Sequence, residues 1–140
     1  MLKYTYWLPV ILYMGLIFYL SSLSSIGTGA IFSAIDKIDH ERLIFHFIEY
    51  GVLGVLLMLA LLKLETDNAA TKLLVAVILI GVIYGVTDEI HQIFVPGRVF
   101  SLLDMVFDGL GTLVGAYILA YPKFRFNRQL YVRRKILHPV

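Results

Sequence analysis

The sequence predicts an all-α fold, an integral membrane bundle of four transmembrane helices. Three observations lead there. The composition suits a chain solvated by lipid: 59% of its residues are hydrophobic and 16% charged, with a mean hydropathy of +0.83, whereas soluble domains carry about 45–50% apolar and about 25% charged residues. Four apolar stretches, 7–20, 43–62, 73–90 and 102–121, are mostly close to the ~20 residues that cross a hydrocarbon core. Their apolar residues run continuously instead of alternating, so they read as helices and not as barrel strands, the only other backbone that satisfies its own hydrogen bonds in lipid.

The chain of 140 residues has no room for a second domain. Residues 1–122 read as the transmembrane domain and 123–140 as a basic cytoplasmic tail. The first stretch is long and aromatic, as in a retained helix, and 21–27 offers no clear small-x-small cleavage site with a soluble mature domain behind it. With no cysteine present, disulfides, thiolate metal sites and cysteine nucleophiles are excluded.

Orientation follows from basic residues at the span ends. Lys3, Lys63, Lys72, Lys123, Arg125, Arg128, Arg133, Arg134 and Lys135 fall on one side, and only Lys37, Arg42 and Arg98 on the other. This asymmetry predicts that both termini are cytoplasmic. The acidic residues divide the opposite way, with only Glu65 and Asp67 inside. The tail mixes its basic residues with Phe124, Phe126, Leu130, Tyr131 and Ile136, as expected of a segment on an anionic inner leaflet; membrane lipids are its expected partner, not nucleic acid. In the first outer loop, 24–41, Ile31, Ile35 and Ile38 recur at helical spacing and predict a short interfacial helix.

Ionisable side chains within apolar spans carry the functional signal, because each costs roughly 2.5–3.5 kcal/mol to insert. His46, Glu49 and Tyr50 share one face of the second span. Asp88, His91 and Gln92 repeat that spacing at the outer end of the third, with Glu89 one position round. Ser101, Asp104 and Asp108 lead the fourth into Gly111 and Gly115. These faces are expected to meet in one site below the outer surface. His46, Glu49, Asp88, Glu89 and His91 are its candidate catalytic residues, and Tyr50, Gln92, Arg98, Ser101, Asp104 and Asp108 its candidate ligand-binding ones. The Pro96-Gly97 turn brings Arg98 to the mouth, either to pair with Asp104 or Glu89 or to offer its guanidinium to a phosphate or carboxylate. The pairs Gly81/Gly85 and Gly111/Gly115, with Gly51 and Gly54, read as packing faces.

Two histidines among carboxylates supply enough ligands for a divalent ion, but the spacing is unspecific and no HExxH occurs. The reading preferred from sequence therefore has neither metal nor cofactor. A histidine beside a carboxylate suits general acid/base chemistry, yet no nucleophile elbow or glycine-rich phosphate loop accompanies it.

The stretches His46-Phe47-Ile48-Glu49-Tyr50-Gly51 and Asp88-Glu89-Ile90-His91-Gln92-Ile93-Phe94-Val95-Pro96-Gly97-Arg98, followed by Ser101, Asp104, Asp108, Gly109 and Gly111, closely resemble the VanZ-like family. The Phe18-to-Ser22 end of the first span and the Asp36-Lys37 pair resemble it too, so that the likeness reaches to about Tyr121. Asp108 departs from the pattern, where many relatives would have Asn, and its charge suits it to pairing with a cation. The family is named for a membrane protein associated with resistance to teicoplanin. The resemblance implies a small membrane protein of a family whose members mostly have no known biochemical activity; the first reading is a non-enzymatic cell-envelope protein that binds a lipid-linked or amphiphilic ligand at the outer leaflet and lowers sensitivity to such glycopeptides. The alternative is a membrane-embedded hydrolase or transferase acting on a phosphorylated lipid or cell-wall precursor. An ion pathway fits less well, since the inner half lacks comparable charges.

Overall fold

Each apolar stretch becomes one helix. A computed structural model describes the backbone of residues 2–23, 39–64 and 70–137, and side chains over 4–23, 42–64 and 70–122. A 3-10 turn, Leu2–Tyr6, leads into α1 (Trp7–Ser21); α2 (Asp39–Leu64), α3 (Ala70–Gln92) and α4 (Leu102–Leu137) follow, with no strand among the described residues. The 23 residues of α3 reach roughly 35 Å at about 1.5 Å per residue, enough for a hydrocarbon core. Four windows are long and apolar enough to cross a membrane: Tyr4–Ser21, Arg42–Leu64, Ala70–Gln92 and Leu102–Pro122. The chain is a multi-pass membrane protein.

The helix ends follow local chemistry. Pro9 lies in the first turn of α1, where a missing amide proton costs no helical bond. The turn between α3 and α4 closes through Phe94 N–H to His91 O (3.0 Å), Val95 N–H to Gln92 O (3.0 Å) and Arg98 N–H to Val95 O (3.1 Å). Gly97 takes the positive φ of 83° that this reversal requires. Ser101 then caps α4, its hydroxyl accepting from Asp104 N–H at 3.2 Å. The backbone of α4 continues through Pro122 to Leu137, so the junction expected between domain and tail falls inside a helix. The interfacial helix expected at 24–41 lies outside the described residues except at 39–41, which open α2.

Packing inverts the pattern of a soluble bundle. Large apolar side chains such as Ile11, Leu12, Leu79, Ile83, Ile90, Val106 and Ile118 face outward, where lipid solvates them. The buried apolar core, built on Val10, Ile17, Tyr50, Leu53, Leu57, Met58, Val77 and Ala116, binds the four helices together. Small residues set the distances within it. A Cβ at Gly115 would strike the Gly51 carbonyl, one at Gly111 the Phe47 carbonyl, and one at Gly54 the backbone of Thr112. On the other side of α4, Gly81 receives Thr112 and Gly85 receives Asp108, whose Oδ2 lies 3.0 Å from where a Cβ would be. The glycine faces of α2 and α3 therefore both meet α4, bringing backbones close enough for dispersion to hold helices together where lipid supplies no hydrophobic drive. α1 is tied on by Tyr84 Oη donating to Met14 O (2.5 Å) and Tyr13 Oη donating to Glu49 O (3.2 Å).

Gly111→Ala and Gly115→Ala are predicted to destabilise the bundle by about 1–3 kcal/mol each, the usual cost of overpacking. Gly15→Ala, which nothing approaches within 4 Å, should be neutral or stabilising by up to ~1 kcal/mol. Thermal unfolding in nanodiscs, followed by circular dichroism, tests the contrast; equal losses at all three positions would contradict the close approach of α2 and α4.

Candidate functional site

Antiparallel alternation brings the C-terminal ends of α1 and α3 and the N-terminal ends of α2 and α4 together, and the polar residues of these ends form two adjoining groups. The larger is a ladder between α2 and α4. Arg42 and His46, one turn apart on α2, face Asp104 and Asp108, one turn apart on α4. His46 Nδ1 lies 2.9 Å from Asp108 Oδ1, and its Nε2 is 3.7 Å from Asp104 Oδ2. Arg42 Nε approaches the same Asp104 oxygen at 3.3 Å, although it is not aligned for a hydrogen bond. Glu89 reaches across from α3 and accepts from the Ser101 amide at 2.7 Å. It thereby takes the place that a carboxylate at the third helical position holds in a capping box.

The second group joins α1 to α3. Ser21 Oγ donates to Asp88 Oδ1 at 2.5 Å, and Gln92 Nε2 donates to Asp88 Oδ2 at 3.0 Å. His91 stacks on Phe18 with ring centroids 4.2 Å apart and sets its Nδ1 3.4 Å from Ser21 Oγ. Glu49, half-buried, lies between the groups, within electrostatic reach of His46, Asp88, Asp108 and Arg98. Tyr50 is fully buried in the core beneath.

Burial divides the two groups chemically. In the second, both Asp88 oxygens have donors, which is how a buried carboxylate becomes a structural joint. In the ladder, Asp104 and Asp108 are 0% exposed, as is Glu89. Glu89 Oε1, both Asp104 oxygens, Asp108 Oδ2 and the Tyr50 hydroxyl nevertheless have no hydrogen-bond partner among the described residues. Leaving a buried polar group unpaired costs about 1–3 kcal/mol, more when it is charged. Of these residues Glu89 and Asp104, together with His46, bring potential ligand atoms within 4.8 Å of one another.

Sequence reasoning identified most of these residues but not their partners. Arg98, expected to meet Asp104 or Glu89, donates its Nε to the Leu23 carbonyl at 3.4 Å. Arg42 approaches Asp104 and the Ser101 amide holds Glu89. Arg42 carried a usable signal, its spacing of four from His46, but among loop residues it read as one of three outer positive charges. Ser21 appeared only in the family resemblance, since a serine at a span end has no distinguishing pattern. Gly85, read as packing alone, also makes room for the Asp108 carboxylate. Ser101, expected to bind a ligand, uses its hydroxyl as the α4 cap.

The chain belongs to the VanZ/LLP1 family, whose model matches residues 6–124. No curated protein and no solved structure matches it. The matched segment includes all of α1, α2 and α3, the spanning part of α4 and every residue of both polar groups.

Asp88→Ala should leave the Gln92 amide without its acceptor, at about 1–3 kcal/mol, and Ser21 Oγ with only its longer contacts to Phe18 O and His91 Nδ1, both 3.4 Å. Asp88→Asn keeps an acceptor oxygen and should lose less. Thermal unfolding of both variants in nanodiscs decides it; a loss for Asn equal to that for Ala would remove Asp88 from its structural role.

Proposed function

We propose that this VanZ/LLP1-family protein acts in the cell envelope by binding a lipid-linked or amphiphilic ligand in the ladder site, at the outer leaflet, and so lowers sensitivity to teicoplanin-type glycopeptides. One observation carries the reading: buried, unpartnered polar atoms lie beside a connector that exposes apolar side chains. Ile93, Phe94, Val99, Leu102 and Leu103 stand out from the protein, with Phe94 80% exposed, while Asp104, Asp108 and Glu89 lie behind them with free acceptors. A molecule with a polar head and an apolar tail matches both surfaces. Arg42, half-exposed at the open end of the ladder, supplies a guanidinium suited to a phosphate or carboxylate. The other contributors to this reading are Arg98 beside the α1 end, Glu49 between the two groups, and the Asp88, His91 and Gln92 group that fixes α3.

The outer placement rests on charge. Both termini are proposed to be cytoplasmic, residues 1–122 to be the membrane domain and 123–140 a basic inner tail, because nine of the twelve lysines and arginines fall on that side. A second reading, catalysis on a phosphorylated lipid or cell-wall precursor, is favoured by the His46–Asp108 pair: a carboxylate on Nδ1 holds an imidazole in the tautomer that a general base needs. His91, stacked on Phe18 and facing Ser21, is less suited to that part.

Two outcomes test these statements. In a chain without cysteine, Val99→Cys should react with an impermeant maleimide in intact cells and Asn68→Cys only after permeabilisation; the reverse would invert the topology. In a susceptible bacterial host, expression of the wild type should raise the inhibitory concentration of teicoplanin. His46→Ala and Asp104→Asn, inserted at the same level, should return it to the vector value. Native mass spectrometry should show a co-purifying lipid that those variants lose. If variants and wild type protect equally, the ladder site is not the seat of the effect; if wild-type protein hydrolyses a phosphorylated lipid and His46→Ala does not, the catalytic reading replaces binding.

A further inference from the structure

We infer that the ladder holds one divalent metal ion of the zinc or manganese class, ligated by His46 Nε2, Glu89 Oε1 and an Asp104 carboxylate oxygen. The inference shares its site with the ligand reading and relies on it for nothing further, and its test is read by metal alone.

Geometry is the first support. One ligand atom from each of His46, Glu89 and Asp104 can be chosen so that all lie within 4.8 Å of one another. His46 Nε2 and Asp104 Oδ2 are 3.7 Å apart, near the separation of about 3.4 Å between two tetrahedral ligands each ~2.1 Å from a metal. The three residues come from three different helices, α2, α3 and α4. The His46–Asp104 pair is within a few tenths of an ångström of that separation, and the set as a whole, at up to 4.8 Å, would draw in by an ångström or more around an ion.

The hydrogen bonds already made are the second support, because each leaves the metal-facing atom free. Asp108 occupies His46 Nδ1 at 2.9 Å, which places the ring proton there and turns the Nε2 lone pair toward Asp104. The Ser101 amide holds Glu89 Oε2 and leaves Oε1 open. A carboxylate on the distal nitrogen of a ligating imidazole is the usual way such a ring is oriented and made more basic.

The third support is independent of the clustering. Asp104 is 0% exposed, yet among the described residues neither of its oxygens has a hydrogen-bond partner, and Glu89, also 0% exposed, has one oxygen without a partner there. Charge points the same way. Among the described residues Arg42 meets this set at Asp104, so that with a neutral imidazole and ionised carboxylates Glu89, Asp104, Asp108 and Arg42 together carry an excess of two negative charges. One divalent cation cancels it. The donors, one imidazole and two carboxylates without a thiolate, suit zinc or manganese and not cuprous copper.

The experiment uses the full chain in nanodiscs, stripped with a chelator and then titrated with Mn2+ or Zn2+ alone. Wild type is expected to bind one ion per chain, and bound Mn2+ to show imidazole nitrogen coupling in pulsed electron paramagnetic resonance. His46→Gln should abolish that coupling while His91→Gln retains it. Glu89→Gln and Asp104→Asn should weaken binding by more than the about 10–100-fold expected for Asp108→Asn, which removes only the group orienting His46. Circular dichroism checks that each variant is folded; should one fail, stoichiometry and nitrogen coupling in wild type decide by themselves. Absence of saturable binding to wild type, absence of nitrogen coupling, or undiminished binding by folded Glu89→Gln and Asp104→Asn would overturn the inference. None of these results bears on whether a lipid binds, so each reading can fail alone.

Discussion

The near-contact of the α2 and α4 backbones is the constraint on which the rest of the structure depends. At Gly54, Gly111 and Gly115 the backbones of the two helices, that of Gly51 among them, come to distances that a single added methyl would violate. In lipid, where exposing another leucine costs nothing, such close packing is a principal source of helix association. It also sets the spacing of everything further along the same two helices. Above the glycines there is room for short acidic side chains and an imidazole, and Asp104, Asp108 and His46 fill it.

That spacing explains how charges persist inside an apolar bundle. A carboxylate in hydrocarbon is costly, and the protein meets the cost in two ways. At Asp88 it provides donors from neighbouring helices, Ser21 and Gln92, and closes the group. Along the ladder it provides donors for some atoms only: Asp108 has His46, and Glu89 has the Ser101 amide. Among the described residues the remaining acceptors of Glu89, Asp104 and Asp108 are unpaired, and those of Glu89 and Asp104 lie on residues that cluster with His46. The closed group holds α1 against α3, and the open one joins α2 to α4.

Several contacts do double service. Glu89 caps α4 from another helix and presents an orphaned oxygen to the ladder, so the Pro96-Gly97 turn, which fixes where α4 starts, also fixes where Glu89 points. Gly85 is both a packing position and the space that Asp108 occupies. Stability and site chemistry are therefore difficult to separate by mutation at these positions, and isosteric neutral substitutions such as Asn for Asp are more informative there than alanine.

The sequence by itself determined the four spans, their helical character and the identity of the polar residues. Each is a local property: the hydropathy of about twenty consecutive residues is enough to choose lipid over water, and helix is what lipid then imposes on the backbone. The membership of His46, Glu89, Asp104 and Asp108 in the polar set was legible for the same reason, as charges out of place in apolar runs. Only the tertiary structure decided who meets whom. That Arg42 rather than Arg98 approaches Asp104, that His46 turns to Asp108 while His91 stacks on Phe18, and that Asp88 belongs to α1 through Ser21 are relations between helices. They are set by helix rotation and by the depth at which glycines let backbones touch, and no periodicity within a single span records either.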